Sequence, residues 1–242
     1  MSDSLLEVSQ VTKKMGRRYW LDHVSFTLQK GNIYGFIGPN GAGKTTMMRI
    51  MTGLMQPTSG SVKIAGYDVQ TDREKALSKV GAIIESPVFY DYMTGREVLR
   101  NLSRLHSEIA PSDRETHIEQ LLTKVRLEAQ GDDKLKAYST GMKQRLGIAQ
   151  SMLGASELLL LDEPSNGLDP IGKRELRDIV LQLHASANYT FFISSPLLDE
   201  IQQICDELIV IKGGRLAWKG PAEQLVEDSQ RLENAFMGLT GL

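Results

Sequence analysis

The 242-residue sequence contains a single cysteine, Cys205. One thiol excludes an internal disulfide framework and a metal site built from several cysteines, and it predicts a protein that works in a reducing compartment. Charge of one sign is also lacking, because 28 Lys and Arg residues face 30 Asp and Glu residues and the formal net charge is -2. Nucleic acid and anionic lipid select positive charge, so no nucleic-acid partner is expected. Any anion site must therefore be local.

Long hydrophobic runs are absent as well. The longest, at residues 158–161 and 208–211, are far shorter than the ~20 apolar residues that a membrane-spanning helix needs. The first residues, Met-Ser-Asp-Ser-Leu-Leu-Glu, lack the basic region and apolar stretch of a secretory signal. We therefore expect a protein that stays in the cytoplasm, and one that another subunit must hold if it works at a membrane.

What the sequence does contain is a regular alternation of short apolar runs with longer segments of helical period. This alternation predicts an α/β fold with a mostly parallel sheet, and we expect the first few runs to form an antiparallel β layer at its edge. The paired glycines within residues 212–215 predict a hairpin turn before a short strand at 216–218. The predicted strands before that turn are 5–11, 24–28, 33–37, 62–64, 82–85, 158–161, 190–194 and 208–211.

The strand pattern disappears between residues 94 and 153, where apolar residues recur at three- and four-residue spacing. This segment interrupts two halves of one core instead of following a linker. We therefore predict one domain over residues 1–242, with a core of 1–86 and 156–242 and an all-helical subdomain over about 87–155.

A glycine-rich stretch satisfies the pattern G-x-x-x-x-G-K-S/T, between the predicted strand 33–37 and a predicted helix at 46–52. Backbone N–H groups and the helix N-terminus can bind phosphates there, Lys44 supplies a positive charge for binding and catalysis, and the Thr45 hydroxyl can ligate Mg²⁺. An ordinary glycine turn is the alternative. The candidate polyphosphate-binding residues are Gly38, Pro39, Asn40, Gly41, Ala42, Gly43, Lys44, Thr45 and Thr46.

Two carboxylates, Asp162 and Glu163, follow the leucine run at 158–161. P-loop enzymes hold a metal-binding acid at the end of such a strand, so Asp162 is a candidate Mg²⁺ ligand through water. Glu163 would face the terminal phosphate and polarise an attacking water as general base. In the alternative interpretation both carboxylates only cap the edge of the sheet in solvent.

With these motifs, three further segments resemble the ATPases of ABC transporters, and the resemblance spans essentially the whole chain. Residues 138–145, Tyr-Ser-Thr-Gly-Met-Lys-Gln-Arg, resemble the family's signature, 165–170 resemble its D-loop, and 21–28 resemble an early strand. The resemblance implies an ABC ATPase domain with a P-loop NTPase core. It also implies that the chain binds ATP and Mg²⁺ and hydrolyses ATP to drive separate transmembrane permease subunits, as a peripheral protein on the cytoplasmic face of the cell membrane.

A second ATP-binding subunit is implied too, in a homodimer or a heterodimer. In the family, the signature of one subunit closes over the triphosphate that the other subunit's P-loop holds, in a head-to-tail dimer. The signature is usually Leu-Ser-Gly-Gly-Gln and matches here only at its Ser and second Gly, a kind of variation familiar in drug and peptide exporters. Without the family, Ser139 is an ordinary N-cap and Gly141 an ordinary turn residue. By position, the residues that would reach the ATP of the facing subunit are Ser139, Thr140, Gly141, Met142 and Asp169.

Met15 and Pro196 depart from the family pattern. Met15 stands where an aromatic ring usually stacks on adenine; a thioether still packs on a π face, and Tyr19 or Trp20 are alternatives. Pro196 stands at the catalytic switch position, where the family has a histidine that contacts the terminal phosphate, so we expect slow hydrolysis. Locally, Ser195 is expected to cap a helix of which Pro196 is the first residue.

Glu85 stands where the family usually has a Gln that ligates Mg²⁺ and touches the membrane partner. A carboxylate can also ligate Mg²⁺, and the alternative is that Glu85 is only a solvated strand end. Together with Pro87 and the chain's closing residues 232–241, it resembles the bacitracin-resistance and lantibiotic self-immunity branch. This implies export of, or immunity to, an antimicrobial peptide or drug. The alternative is a soluble ABC ATPase that acts on ribosomes or DNA without transport, but such proteins usually have two cassettes or a long coiled-coil insert.

Overall fold

The structure is a computed structural model that describes residues 4–187, 189–201 and 203–227. The closing residues 232–241, which entered the family resemblance, lie outside this range. The strands are β1 Ser4–Met15, β2 Arg18–Gln29, β3 Ile33–Ile37, β4 Ser59–Ile64, β5 Tyr67–Asp68, β6 Val80–Ile83, β7 Leu158–Asp162, β8 Thr190–Ser195, β9 Glu207–Lys212 and β10 Arg215–Pro221. The helices are α1 Lys44–Met51, α2 Arg73–Leu77, α3 Gly95–Ser103, α4 Arg114–Lys124, α5 Thr140–Ser151, α6 Pro170–Ala187, α7 Leu198–Ile201 and α8 Ala222–Glu227.

The larger sheet has the strand order β10-β9-β3-β8-β7-β6. All of its neighbouring pairs are parallel except β9 and β10, which form an antiparallel hairpin. Gly213 and Gly214 make the turn with φ values of 52° and 79°, so the predicted hairpin is confirmed. Strands β3, β7 and β8 are buried along their whole length, which explains their continuous apolar sequence. The predicted α/β fold is therefore confirmed.

A smaller antiparallel sheet, in the order β2-β1-β4-β5, covers one side of the larger sheet and confirms the predicted edge layer. The rings of Phe26, Phe36 and Phe192 join the two sheets, with centroid separations of 5.0 to 6.1 Å. Helix α1 packs into the same cluster through Met47 and Met51. The helix that carries the end of the glycine loop is thus fixed between two sheets.

Three helices, α3 to α5, lie between β6 and β7 along the chain. Helix α3 begins with a capping box, in which the Thr94 hydroxyl accepts a hydrogen bond from the Glu97 N–H and the Glu97 carboxylate accepts one from the Thr94 N–H. A Cβ atom at Gly81 of β6 would lie 1.8 Å from the Ser151 carbonyl oxygen, so only glycine lets α5 pack this closely on the sheet. One hydrophobic cluster runs from Leu121 of α4 to Leu161 of β7. Division into a core and a helical subdomain stays a prediction.

None of the helices in the described ranges is long and apolar enough to cross a membrane.

Candidate functional site

The glycine loop joins β3 to α1 and lines a cavity. Gly41 and Gly43 have φ values of 79° and 109°, which other residues rarely adopt. A Cβ atom at Gly43 would lie 2.6 Å from the Trp20 carbonyl oxygen, and one at Gly38 would lie 2.4 Å from the Ile211 carbonyl oxygen. The loop therefore requires glycine because the backbones of neighbouring strands press against it. The cavity has a volume of about 350 Å³ and is lined by Trp20, Asn40, Gly41, Gly43, Lys44, Thr45, Thr46 and Glu163.

The side chain of Lys44 is only 4% exposed. Its Nζ donates a hydrogen bond to the Gly38 carbonyl oxygen at 2.8 Å and lies 3.2 Å from Glu163 Oε1. A buried ammonium group is tolerated only when such partners replace its hydration. The structure therefore brings together two of the predicted catalytic residues, a cation for phosphate and a carboxylate that can accept a proton from water.

Asp162 and Glu163 are held by Ser194 of the neighbouring strand. The buried Ser194 hydroxyl donates to Asp162 Oδ1 at 2.5 Å and accepts from the Glu163 N–H at 3.0 Å. Glu163 has a φ of 46°, a left-handed conformation that costs a non-glycine residue free energy. Ser194 therefore fixes the turn that aims the Glu163 carboxylate at Lys44. Sequence patterns did not predict a role for Ser194. Its contact with Asp162 arises because the two residues lie side by side near the ends of the parallel strands β7 and β8.

Mg²⁺ prefers one or two carboxylates together with substrate phosphates over a cage built by the protein alone. The described residues contain no group of three or more His, Cys, Asp or Glu side chains that could hold a metal ion. Thr45 borders the cavity, and Asp162 is buried with one carboxylate oxygen bound to Ser194. The Thr45 hydroxyl and the Asp162 carboxylate are oxygen ligands of the kind that Mg²⁺ prefers, and of the two only Thr45 belongs to the described lining of the cavity.

Glu85 lies apart from these residues. The strand before it is Val80–Ile83, so the predicted strand 82–85 is displaced by two residues along the chain, and Glu85 itself follows the strand with a φ of 68°. Its carboxylate forms an ion pair with Arg49 and is 62% exposed. Arg49 lies one turn beyond Thr45 on α1. The described lining of the cavity does not include Glu85, and in this conformation its carboxylate pairs with Arg49.

The switch segment differs from the expectation. Helix α7 begins at Leu198, not at Pro196, and β8 continues to Ser195. The Ser195 hydroxyl accepts a hydrogen bond from the Leu197 N–H at 3.0 Å and donates to the Leu197 carbonyl oxygen at 3.2 Å. The prediction that Ser195 caps a helix starting at Pro196 is therefore wrong, because the serine closes a tight turn before the helix. Pro196 lies in a bend between strand and helix.

The three residues considered for base stacking are in different surroundings. Met15 is 49% exposed at the end of β1, and Tyr19 is 48% exposed with the Lys14 ammonium over its ring. Within the described lining of the cavity, the aromatic residue is Trp20. Met15 does not belong to the described lining of this cavity, and its packing on adenine stays a prediction.

The signature segment begins α5, and the Ser139 hydroxyl accepts a hydrogen bond from the Met142 N–H at 3.2 Å. Met142 packs against the hydrophobic core. A second cavity of about 360 Å³ lies between this helix start and the D-loop segment, and its described lining shares no residue with the glycine-loop cavity. The residues that line it are Ser139, Thr140, Gly141, Arg145, Gly167, Leu168, Asp169, Ile171, Gly172 and Glu175.

The unusual Tyr138 of the signature has a structural explanation. Its side chain is buried, and its hydroxyl donates a hydrogen bond to the Gln130 carbonyl oxygen at 2.7 Å. Burial raises the pKa of Tyr138, so the phenol remains a neutral donor. A Cβ atom at Gly95 would lie 2.6 Å from this hydroxyl, so the glycine that starts α3 makes room for the ring.

Comparison with known proteins agrees with this geometry. A family model described as "ABC transporter" matches residues 21–166. The chain is similar to the bacitracin transport ATP-binding protein BcrA of Bacillus licheniformis, with 38% identity over 94% of this chain and 73% of that protein. It is also similar to the lantibiotic transport ATP-binding protein SrtF of Streptococcus pyogenes, with 38% identity over 96% of both chains. A solved ATP-binding subunit of an ABC transporter superposes with a TM-score of 0.83 at 28% identity, over 98% of this chain and 99% of the other.

Ser194→Ala tests the link between the two carboxylates. The variant leaves the Glu163 N–H and the buried Asp162 carboxylate short of a partner, so we expect a loss of about 1 to 3 kcal/mol in the free energy of unfolding and slower ATP hydrolysis. Denaturant unfolding and an ATPase assay measure the two effects. Ser195→Ala is the matched control, because the described bonds of that hydroxyl stay within its own turn. Equal losses of stability for the two variants would contradict the role given to Ser194.

Proposed function

The chain belongs to the ABC transporter family of ATP-binding subunits, and we propose that it drives a separate permease that exports, or gives immunity to, an antimicrobial peptide or drug. Membership makes the chain an ATP-hydrolysing subunit. The nature of the cargo is inferred from similarity to a bacitracin and a lantibiotic transport protein. The observation that carries the ATPase assignment is the ion pair between Lys44 of the glycine loop and Glu163, which follows β7. Action on ribosomes or DNA without transport is not favoured.

We assign hydrolysis to the residues around this ion pair. The glycine loop, residues 38–46, binds the phosphates through its N–H groups and the start of α1. A phosphate that reaches Lys44 competes with Glu163 for the ammonium charge. Glu163 is then released to orient and deprotonate the attacking water.

Thr45 and Asp162 would hold Mg²⁺ at the phosphate site, Asp162 through a water molecule. The ion would neutralise charge that develops on the phosphate oxygens. The hydrogen bond from Ser194 fixes the Asp162 carboxylate in the orientation in which it can serve as a ligand.

A second ATP-binding subunit completes the site in this proposal. The glycine-loop cavity and the signature cavity have separate linings among the described residues, so one chain presents two half-sites. In a head-to-tail pair, Ser139 and Gly141 at the start of α5 would supply the positive end of a helix to the facing phosphates. Asp169, whose carboxylate accepts a hydrogen bond from the Gly172 N–H at 2.7 Å, would lie at the interface.

The permease would contact the segment that follows Glu85 and hold the chain at the inner face of the cell membrane. This segment exposes apolar and aromatic surface, since Val88 is 93%, Tyr90 68% and Tyr92 70% exposed. The rings of Tyr90 and Tyr92 stack with centroids 5.4 Å apart, so they form one aromatic surface. Large exposed apolar groups in a cluster are typical of interaction sites.

Arg49 and Glu85 would transmit the state of the nucleotide to this surface. Arg49 belongs to α1, whose first residues bind phosphate in this proposal, and its ion pair with Glu85 reaches the segment beside Val88. A movement of α1 on ATP binding would therefore act on the permease contact through one side-chain pair.

Glu163→Gln tests the ATPase assignment in a complex co-purified with its membrane permease. The amide cannot accept the proton of the attacking water, so we expect turnover to fall by at least ~10²-fold while ATP remains bound. Lys44→Ala is the companion variant, for which ATP binding itself should be lost. Undiminished hydrolysis by Glu163→Gln, or a chain that binds no membrane protein, would contradict the proposal.

Pro196→His tests the missing donor at the switch position. An imidazole there can contact the charge that develops on the terminal phosphate, so we expect faster hydrolysis, by up to ~10² to 10³-fold if it supplies one full donor. Pro196→Ala, which removes the ring without adding a donor, is the control. No gain in the steady-state rate of the histidine variant would mean that this contact does not limit turnover.

Glu85→Gln tests the proposed coupling. The substitution keeps the shape of the side chain and removes the charge that binds Arg49. We expect less cargo to be moved for each ATP hydrolysed, as measured in proteoliposomes containing the permease. Glu115→Gln, which breaks the exposed ion pair with Arg100, is the matched control. An unchanged ratio of transport to hydrolysis for Glu85→Gln would overturn this role.

A further inference from the structure

Met15 and Trp20 lie on neighbouring strands, but Trp20 is the one that borders the glycine loop. Met15 ends β1 and exposes 49% of its surface, while Trp20 lines the cavity together with Gly41 and Lys44. A purine joined to phosphates in that cavity therefore lies near Trp20.

The position of Trp20 is fixed by its backbone. Its carbonyl oxygen would lie 2.6 Å from a Cβ atom at Gly43 and 2.7 Å from one at Gly214. The Asp22 N–H also donates to the Gly214 carbonyl oxygen at 2.8 Å. Strand β2 is thus held between the glycine loop and the β9–β10 hairpin, so the ring is carried on a rigid support.

Arg18 adds a positive charge next to the ring. Its guanidinium carbon lies 4.7 Å from the centroid of the Trp20 ring, which is a cation–π contact. The same guanidinium lies beside Gly41, with Nη2 4.0 Å from the position of a Cβ atom there. The pair offers an aromatic face and a cation at one edge of the cavity, which suits a ligand made of a base and phosphates.

We propose that Trp20, instead of Met15, is the residue on which the purine base stacks. This inference rests on the proposed binding of nucleotide by the glycine loop. Tyr19 is a poorer candidate, because its ring is half exposed under Lys14 and lies outside the described lining of the cavity. Stacking uses the π face that every base has and reads no hydrogen-bonding edge. The site should therefore accept ATP and GTP with affinities within about tenfold of each other.

Fluorescence of the full-length chain tests the contact directly. The sequence has two tryptophans, so Trp218→Phe leaves Trp20 as the only one. Titration with a non-hydrolysable ATP analogue and Mg²⁺ should quench the emission of this variant, whereas inorganic tripolyphosphate with Mg²⁺ should leave it nearly unchanged. Equal responses to the two ligands would overturn the proposal.

Calorimetric titration of the same two ligands measures the contribution of the base. Trp20→Ala should weaken binding of the ATP analogue at least about fivefold, the lower end of the effect of one stacked base, and leave tripolyphosphate binding unchanged. Trp20→Phe should keep most of the affinity. Tyr19→Ala is the matched control and should bind both ligands like the unmodified chain.

The outcomes separate this inference from the proposed function. If Met15→Ala, but not Trp20→Ala, weakened binding of the ATP analogue and left tripolyphosphate binding unchanged, Met15 and not Trp20 would be the residue on which the base stacks. Undiminished tripolyphosphate binding by Lys44→Ala would instead contradict the phosphate site itself, whatever the result for Trp20.

Discussion

The positive charge of Lys44 is removed from water, and the residues around it are arranged to balance that charge. The Gly38 carbonyl and the Glu163 carboxylate both point at its ammonium group. Glu163 reaches it only from a left-handed backbone conformation, and the hydrogen bond between its N–H and Ser194 offsets the cost of that conformation. A phosphate supplies the same negative charge as Glu163 and so can replace it. In the absence of ligand, Glu163 therefore balances the charge of Lys44. When a phosphate binds, it can take the place of Glu163 beside the ammonium group.

The order of the strands places these groups together. β3 pairs with β8, and β8 pairs with β7, so the glycine loop, Ser194 and Asp162 all lie at the carboxyl ends of adjacent parallel strands. Such ends are where open α/β sheets bind ligands. The two sheets hold α1 between them, and α1 carries both the end of the glycine loop and Arg49, the partner of Glu85.

Sequence patterns predicted the parts of the fold in which every residue of a strand is buried. The strand 33–37 was predicted to the residue, because both of its faces pack in the core. β1 and β2 extend further, to Met15 and from Arg18, because their hairpin is exposed and has no apolar pattern to reveal it. The bonds of Ser194 could not be read from the sequence, since they depend on which strands become neighbours. The position of Met15 depends in the same way on tertiary packing.

The departures from the family pattern differ in whether neighbouring residues compensate for them. Tyr138 fits against Gly95, and Glu85 has Arg49 as its partner. Pro196 is different, because the hydroxyls of Ser194 and Ser195 beside it are already engaged, one by the two carboxylates and the other by its own turn. Neither hydroxyl can turn to the terminal phosphate without breaking those bonds. Slow hydrolysis therefore stays a prediction, unless a donor reaches that point from elsewhere in this chain or from a facing subunit.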